Sequence, residues 1–158
     1  MFLRHDVLAS ADLKTWILTI NAFASKGPGD QVAYSDTPLF APDCQYRDGV
    51  YYLYHCMPGS ISEGVATSPS PIGPFMNSKR IDLHGLEGID PCVFIDDDDH
   101  AYYICGQFSA KMAKLKANMT EIDTATIRDD VVTEKGTFSM KAAIWSSATS
   151  FIVLFMRT

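Results

Sequence analysis

Two carboxylates at matching places in a repeated motif are the residues of this 158-residue chain best suited to do chemistry. Residues 41–57 read APDCQYRDGVYYLYHCM, and residues 89–106 read IDPCVFIDDDDHAYYICG. Each copy places an Asp beside a Pro, then a Cys and a short apolar run, then an acidic turn. A strand carrying a Tyr pair and a second Cys follows. Asp43 and Asp90 lie 47 residues apart, and Tyr52 and Tyr103 lie 51 apart. Carboxylates brought to one point can move protons as general acid and base, or hold a neighbouring acid in its protonated form. A self-similar unit of about 40–50 residues made of short strands is the mark of propeller blades. Inner strand ends of such blades converge on one funnel, so the repeat predicts that both Asp residues face a shared site.

The elements that must position them read as strands. Val50 to Cys56 is rich in aromatic and β-branched residues and follows Asp48-Gly49, a strong hairpin signal, with Cys44 to Arg47 as its partner. Pro91 to Ile95, the acidic turn Asp96 to Asp99, and Ala101 to Cys105 repeat that hairpin. Gly64 to Ser68 is a third strand, running into the Pro-rich loop Ser68 to Phe75 that closes the blade. Lys111 to Leu115 takes the third-strand role in the second unit, with Lys116 to Asp123 after it. Ser10 to Trp16 reads as the closing segment of an earlier blade. No long helix is expected. The fold class is therefore all-β, a partial propeller of about two full blades plus fragments, in a domain spanning residues 1–132.

Composition narrows the function classes. Apolar residues make up 47% and charged residues 20%, which suits a globular domain. A net charge of −6 argues against a nucleic-acid backbone as partner, because that needs a basic stripe. No run approaches the roughly 18–20 apolar residues of a membrane span, so no membrane partner is expected, and the start lacks an apolar leader, which points to the cytoplasm. A different N-terminus upstream would change that location to the periplasm or outside. Cys44, Cys56, Cys92 and Cys105 have no CxxC spacing and no His at zinc-finger distance, so they read as buried strand thiols and no metal site or cofactor is expected. The four-Asp run lacks the spacing and terminal Glu of a calcium loop and reads as a solvated hairpin tip. Tyr51, Tyr52, Tyr102 and Tyr103 read as blade packing. His5, His55, His84 and His100 do not cluster in sequence and receive no chemistry.

These segments resemble glycoside hydrolase family 43. SADLKTW is similar to the family's S-x-DL-x-x-W segment, and LFAPDCQYRDGVYYLYHC to its WAPD…dGkYYLYy blade. GVATSPSPIGPF is similar to its gvA-S-sP-GPF closure, and GIDPCVFIDDDDHAYYICG to its gIDP-vF-DDDG blade. The resemblance covers roughly Ser10 to Asp123 and implies a five-bladed β-propeller that cleaves arabinose- and xylose-containing glycans with inversion. Its partners would be oligo- or polysaccharides such as xylan, arabinoxylan or arabinan fragments. Three funnel carboxylates carry the family's reaction: an Asp base on the first blade, the Asp of the IDP motif, and a Glu acid in a later motif. The IDP Asp matches Asp90, which would orient the acid and raise its pKa by like-charge repulsion. Asp43 is expected to line the same sugar pocket, and Phe40, where the family has Trp, to stack on a sugar face. The base and the acid are not at their expected motifs here, and Asp6 in RHDV stands in the wrong context to replace the base. A non-catalytic propeller that binds glycan or protein is the alternative.

Residues 133–158 lack blade patterning and form the second segment of the chain. The genetic code offers a reason. Met140 is encoded by ATG and Lys141 by a codon beginning AA, so a codon spanning their junction must encode Glu. Neighbouring junctions permit H-E-G-S-x-x-x-K-R-N-x-x-Y-x-x-x-Y-A-D, similar in order and spacing to the family's acid-bearing segment. The tail is thus expected to be out-of-frame translation after a shift between Thr133 and Ser139. Sequencing the locus checks this: a frame shift there should expose an HEGS-like continuation, and an intact frame without one contradicts it.

Overall fold

A computed structural model describes residues 3–59, 63–86, 88–106, 109–133 and 151–156. It is all-β apart from a single-turn 3-10 helix at Thr124–Thr126. The strands are β1 (Arg4–Ser10), β2 (Ile17–Ala24), β3 (Phe40–Arg47), β4 (Val50–Cys56), β5 (Glu63–Ser68) and β6 (Met76–Arg80). They continue with β7 (Cys92–Ile95), β8 (Ala101–Cys105), β9 (Ser109–Lys114), β10 (Arg128–Thr133) and β11 (Phe151–Met156). Two four-stranded antiparallel meanders, β3-β4-β5-β6 and β7-β8-β9-β10, are the two full blades that the repeat predicts. A three-stranded sheet, ordered β11-β1-β2, stands before them.

Local chemistry explains the turns. Asp48 and Gly49 both take positive φ, 51° and 84°, which is the two-residue hairpin geometry that matches strand twist. At the acidic tip the Asp96 amide donates to the His100 carbonyl at 2.9 Å, and Asp99 adopts φ 66°. The SADLKTW segment is the β1–β2 turn: Ser10 Oγ accepts the Leu13 amide at 2.8 Å, and Asp12 Oδ1 accepts the Lys14 and Thr15 amides. β6 and β10 were not legible in the sequence. β6 reads MNSKR and is mostly exposed, so it carries no apolar alternation and is held by its ladder to β5.

The sheets stack face on face. Val7 and Phe23 of the first sheet pack with Leu53, Ala66 and Phe75 of the second. Tyr54 and Val65 on the other face of the second sheet pack with Val93, Tyr103, Ala113 and Met119 of the third unit. The middle strand β5 is consequently buried along nearly all its length, whereas β8 alternates: Ala101, Tyr103 and Cys105 are buried, Tyr102 and Ile104 only partly. All four cysteines are free thiols, three of them buried. Polar ties join the second and third sheets, with Tyr54 donating to the Met119 carbonyl at 2.8 Å and the Gln45 amide to the Val93 carbonyl at 2.8 Å. Arg47 reaches across to the Asp99 carbonyl at 2.9 Å. In the tail, Phe151–Met156 forms an antiparallel strand along the free edge of β1, with His5 opposite Met156 and Ser10 opposite Phe151. The expected frame-shift point, after Thr133, leads into residues 134–150, outside the described residues.

One buried histidine pair received no role from the sequence. Phe23 lies between His5 and His55, with ring centroids 6.3 and 4.9 Å away. Both imidazoles are fully enclosed. Burial depresses them, His5 to about 4 against the smaller opposing pull of Asp6, and His55 to about 3 with help from the His5 charge. The unfolded chain therefore binds more protons than the folded one between pH 6.5 and about 3, so stability falls as pH falls through that window. At about 1.4 kcal/mol per pKa unit the two rings together withdraw several kcal/mol. Asp43, whose carboxyl is raised by burial, acts in the opposite sense. Urea denaturation at pH 7, 5 and 4 is expected to show a steadily falling midpoint, flattened by His55→Leu; an unchanged midpoint contradicts neutral burial.

Candidate active site

Asp90 enters β7 in a conformation that ordinary residues avoid. Its φ is 54° and it precedes Pro91, a position that normally favours extended backbone. Asp tolerates left-handed geometry better than most residues, but such positions still cost about 1–3 kcal/mol and gather at functional sites. Ala41 does the same at the entry of β3, with φ 40° before Pro42. By backbone conformation the counterpart of Asp90 is thus Ala41, and the counterpart of Asp43 is Cys92. The motif, matched on its Asp residues, aligns the two copies two residues out of step. An irregularity in the β3–β4 register between Phe40 and Asp43 accompanies this, and bulges of that kind re-aim side chains.

The consequence corrects the expectation for Asp43. Its side chain is 1% exposed, and Oδ2 accepts the Val93 amide at 2.6 Å from the adjoining sheet. Burial raises its pKa, while hydrogen bonds from Val93, the Gln45 side chain and the Cys44 amide work against that rise. Asp43 clips β3 to β7 rather than lining a sugar pocket. Asp90, in contrast, is half-buried. Asp43 and Asp90 do not form a facing pair of carboxylates.

Phe40, the first residue of β3 and partly exposed, does meet Asp90 through a shared neighbour. The Cys56 thiol donates to the Phe40 carbonyl, S···O 3.6 Å, and its sulfur accepts the Asp90 amide. One residue back, the Ile89 amide is bound to the Cys105 sulfur, and the Gly106 amide donates to the Ile89 carbonyl at 2.7 Å. The matched cysteines of the repeat therefore hold the Ile89-Asp90 segment. Burial first, and then the Glu63 carboxylate, push both thiols up to about 12, so they stay protonated and unreactive.

Glu63 is the residue that sequence reasoning missed. It opens β5, is 2% exposed, and accepts the Tyr103 hydroxyl from the adjoining sheet. Burial and then the Glu63 charge raise the Tyr103 hydroxyl well above its ordinary value. The loop before Asp90 packs closely on it: a Cβ at Gly88 would lie 2.5 Å from Leu83 Cδ1 and 2.7 Å from Glu63 Oε1, so a larger residue there would have to push those side chains aside. A lone Glu at the start of an apolar strand carries no spacing signal that would have pointed to it. Among the described residues no group of three or more His, Cys, Asp or Glu is arranged to hold a metal ion.

Two four-stranded antiparallel meanders packed face on face, with a three-stranded sheet on the far side of the first, form part of a β-propeller. The sequence profile of the Glycosyl hydrolases family 43 matches residues 1–152, and the chain belongs to that family. It is similar to Xylosidase/arabinosidase 43A of Humicola insolens, 39% identical over 80 residues covering 49% of this chain and 24% of the relative. A β-xylosidase of Xylanibacter ruminicola is 35% identical over 103 residues, 60% of this chain and 32% of the relative. The crystal structure of an endo-1,4-β-xylanase from Bacteroides thetaiotaomicron superposes with a TM-score of 0.64 at 26% identity, covering 78% of this chain and 42% of that one. The chain thus spans about a quarter to a third of these curated relatives.

The contrast between the two carboxylates yields an expected result. Asp43→Ala should lower stability by about 1–3 kcal/mol, because it strands the buried Val93 amide. Asp90→Gly should leave stability unchanged or raise it, since glycine relieves the left-handed backbone. Chemical denaturation of the two variants checks this, and the reverse ranking contradicts the division of roles.

Proposed function

We propose that this chain is a sector of a glycosidase that hydrolyses pentosyl linkages in xylose- or arabinose-containing glycans with inversion. Its partner is an oligo- or polysaccharide of the xylan, arabinoxylan or arabinan type. The observation that carries the reading is Asp90: a half-buried residue with left-handed backbone before a proline, its amide bound to the Cys56 thiol that also meets the Phe40 carbonyl. The printed activities of the relatives, xylosidase and arabinosidase, support the substrate class.

In an inverting reaction an acid protonates the leaving oxygen while a base about 6.5–9.5 Å away activates water on the opposite face of the sugar. Asp90 fills neither role. Its negative charge beside the acid disfavours ionisation of that acid and keeps it protonated near neutral pH, and its fixed backbone sets the acid's orientation. Phe40 supplies an apolar face for the sugar ring. Acid and base come from segments other than the motifs present here, consistent with the reading of residues 133–158 as shifted-frame sequence.

Loss of a general acid or a general base each removes about 10²–10⁴-fold in rate. The 158-residue chain is therefore expected to show no measurable turnover of a nitrophenyl xyloside or arabinofuranoside. Appreciable hydrolysis abolished by Asp90→Asn would place acid and base within these residues and overturn that expectation. Saturable xylo-oligosaccharide binding indifferent to Asp90→Asn would favour a non-catalytic binding propeller instead.

A further inference from the structure

Two consecutive amides at the Asp90 entry are bound to different sheets. The Ile89 amide goes to the Cys105 sulfur on β8 of the third sheet, and the Asp90 amide to the Cys56 sulfur on β4 of the second. The Ile89 carbonyl adds to the first of these ties by accepting the Gly106 amide at 2.7 Å. The segment therefore straddles the seam between the two sheets. Hydrogen bonds weaken steeply once their length or angle departs from the ideal, so a segment anchored on both sides keeps its place only while the gap beneath it keeps its width.

A buried side-chain bond crosses the seam at that level. Cys56 is the cross-strand partner of Glu63, and Cys105 stands two residues beyond Tyr103 on the same buried face of β8. The Tyr103 hydroxyl donates to Glu63 Oε2 and so joins β8 to β5 beside both thiols. Both side chains are closed off from solvent. Val65, Val93 and Ala113 also pack in this seam, but apolar contact is non-directional and sets no fixed spacing. The ties from Asp43, Gln45 and Tyr54 reach Val93 and Met119, which places them on β7 and the turn at Met119 rather than on β8.

We propose that Glu63 and Tyr103 are positioning residues for Asp90. Their bond sets the spacing of the strands whose thiols hold Ile89 and Asp90, and thereby sets where the Asp90 carboxyl stands. A group that orients a catalytic acid has to be held within about 0.5 Å of its working place, and a directional bond under its anchors does that. The use made of Asp90 rests on the hydrolase reading; its placement rests on these contacts alone.

The test is NMR on the isotope-labelled 158-residue chain. It needs neither sugar nor turnover, so its outcome is separate from that of the hydrolase reading. Tyr103→Phe keeps the ring and removes the hydroxyl. It is expected to speed hydrogen exchange at the Ile89 and Asp90 amides by about 10-fold and to move the Asp90 carboxyl-carbon signal, with the β8–β9 ladder amides unchanged. Glu63→Gln, which retains an oxygen able to accept the hydroxyl, should keep the wild-type exchange rates. Should Tyr103→Phe not fold, the double variant Glu63→Leu with Tyr103→Phe, apolar on both sides of the seam, carries the same expectation. Wild-type rates at Ile89 and Asp90 without the hydroxyl overturn the proposal. So does faster exchange spread evenly through β4, β5 and β8, which marks general loosening, or a Glu63→Gln chain that behaves like Tyr103→Phe.

Discussion

An antiparallel sheet with apolar residues on both faces can be stable in water only between two other sheets, and the structure of this chain follows from that constraint. The second sheet satisfies it. Leu53 and Ala66 point one way and Tyr54 and Val65 the other, so β4 and β5 are sealed on both sides. At roughly 25 cal/mol per Å² of apolar surface removed from water, these two faces supply the main driving force, and the polar contacts fix how the sheets align. Tyr54 on Met119, Gln45 on Val93 and Asp43 on Val93 all cross the same interface. Burial makes each of them hard to lose, because a stranded amide or carboxylate there has no water to turn to.

The same packing decides which carboxylate is available. A two-residue offset along the inner strand separates a residue that faces the next sheet from one that stands at the strand entry. Asp43 falls on the first kind of position and becomes a clip. Asp90 falls on the second, where the chain turns through left-handed backbone before a proline. That turn is held by acceptors that do not compete for charge: two thiols kept neutral by burial and by Glu63. The buried glutamate thus serves the site from beneath, as part of the surface on which Gly88 packs.

Much of this was legible in the residues. The repeated Asp-Pro-Cys, the Asp-Gly turn and the paired tyrosines announce two hairpins of one kind, and their spacing announces blades. Family membership follows from four motifs in order. The outer strands β6 and β10 were hidden because an exposed edge needs no apolar alternation, only a ladder to its neighbour. The pairing of Phe151–Met156 with β1 was hidden for a related reason: an unbroken apolar run has no period that assigns it a face, and its partner lies at the far end of the chain. His5, His55 and Glu63 were hidden because burial of a polar residue is set by neighbours distant in sequence.

What the sequence determined by itself is local: where hairpins turn, which strands alternate, and that an Asp precedes a Pro at a blade entry. Only the tertiary structure decided which of two similar aspartates is sealed and which is half open. Side-chain direction along a strand reverses with every residue, and a left-handed turn or bulge resets the count. Two copies of one motif can therefore look aligned by residue type while their side chains face different surroundings. Only the packed sheets show which surroundings those are.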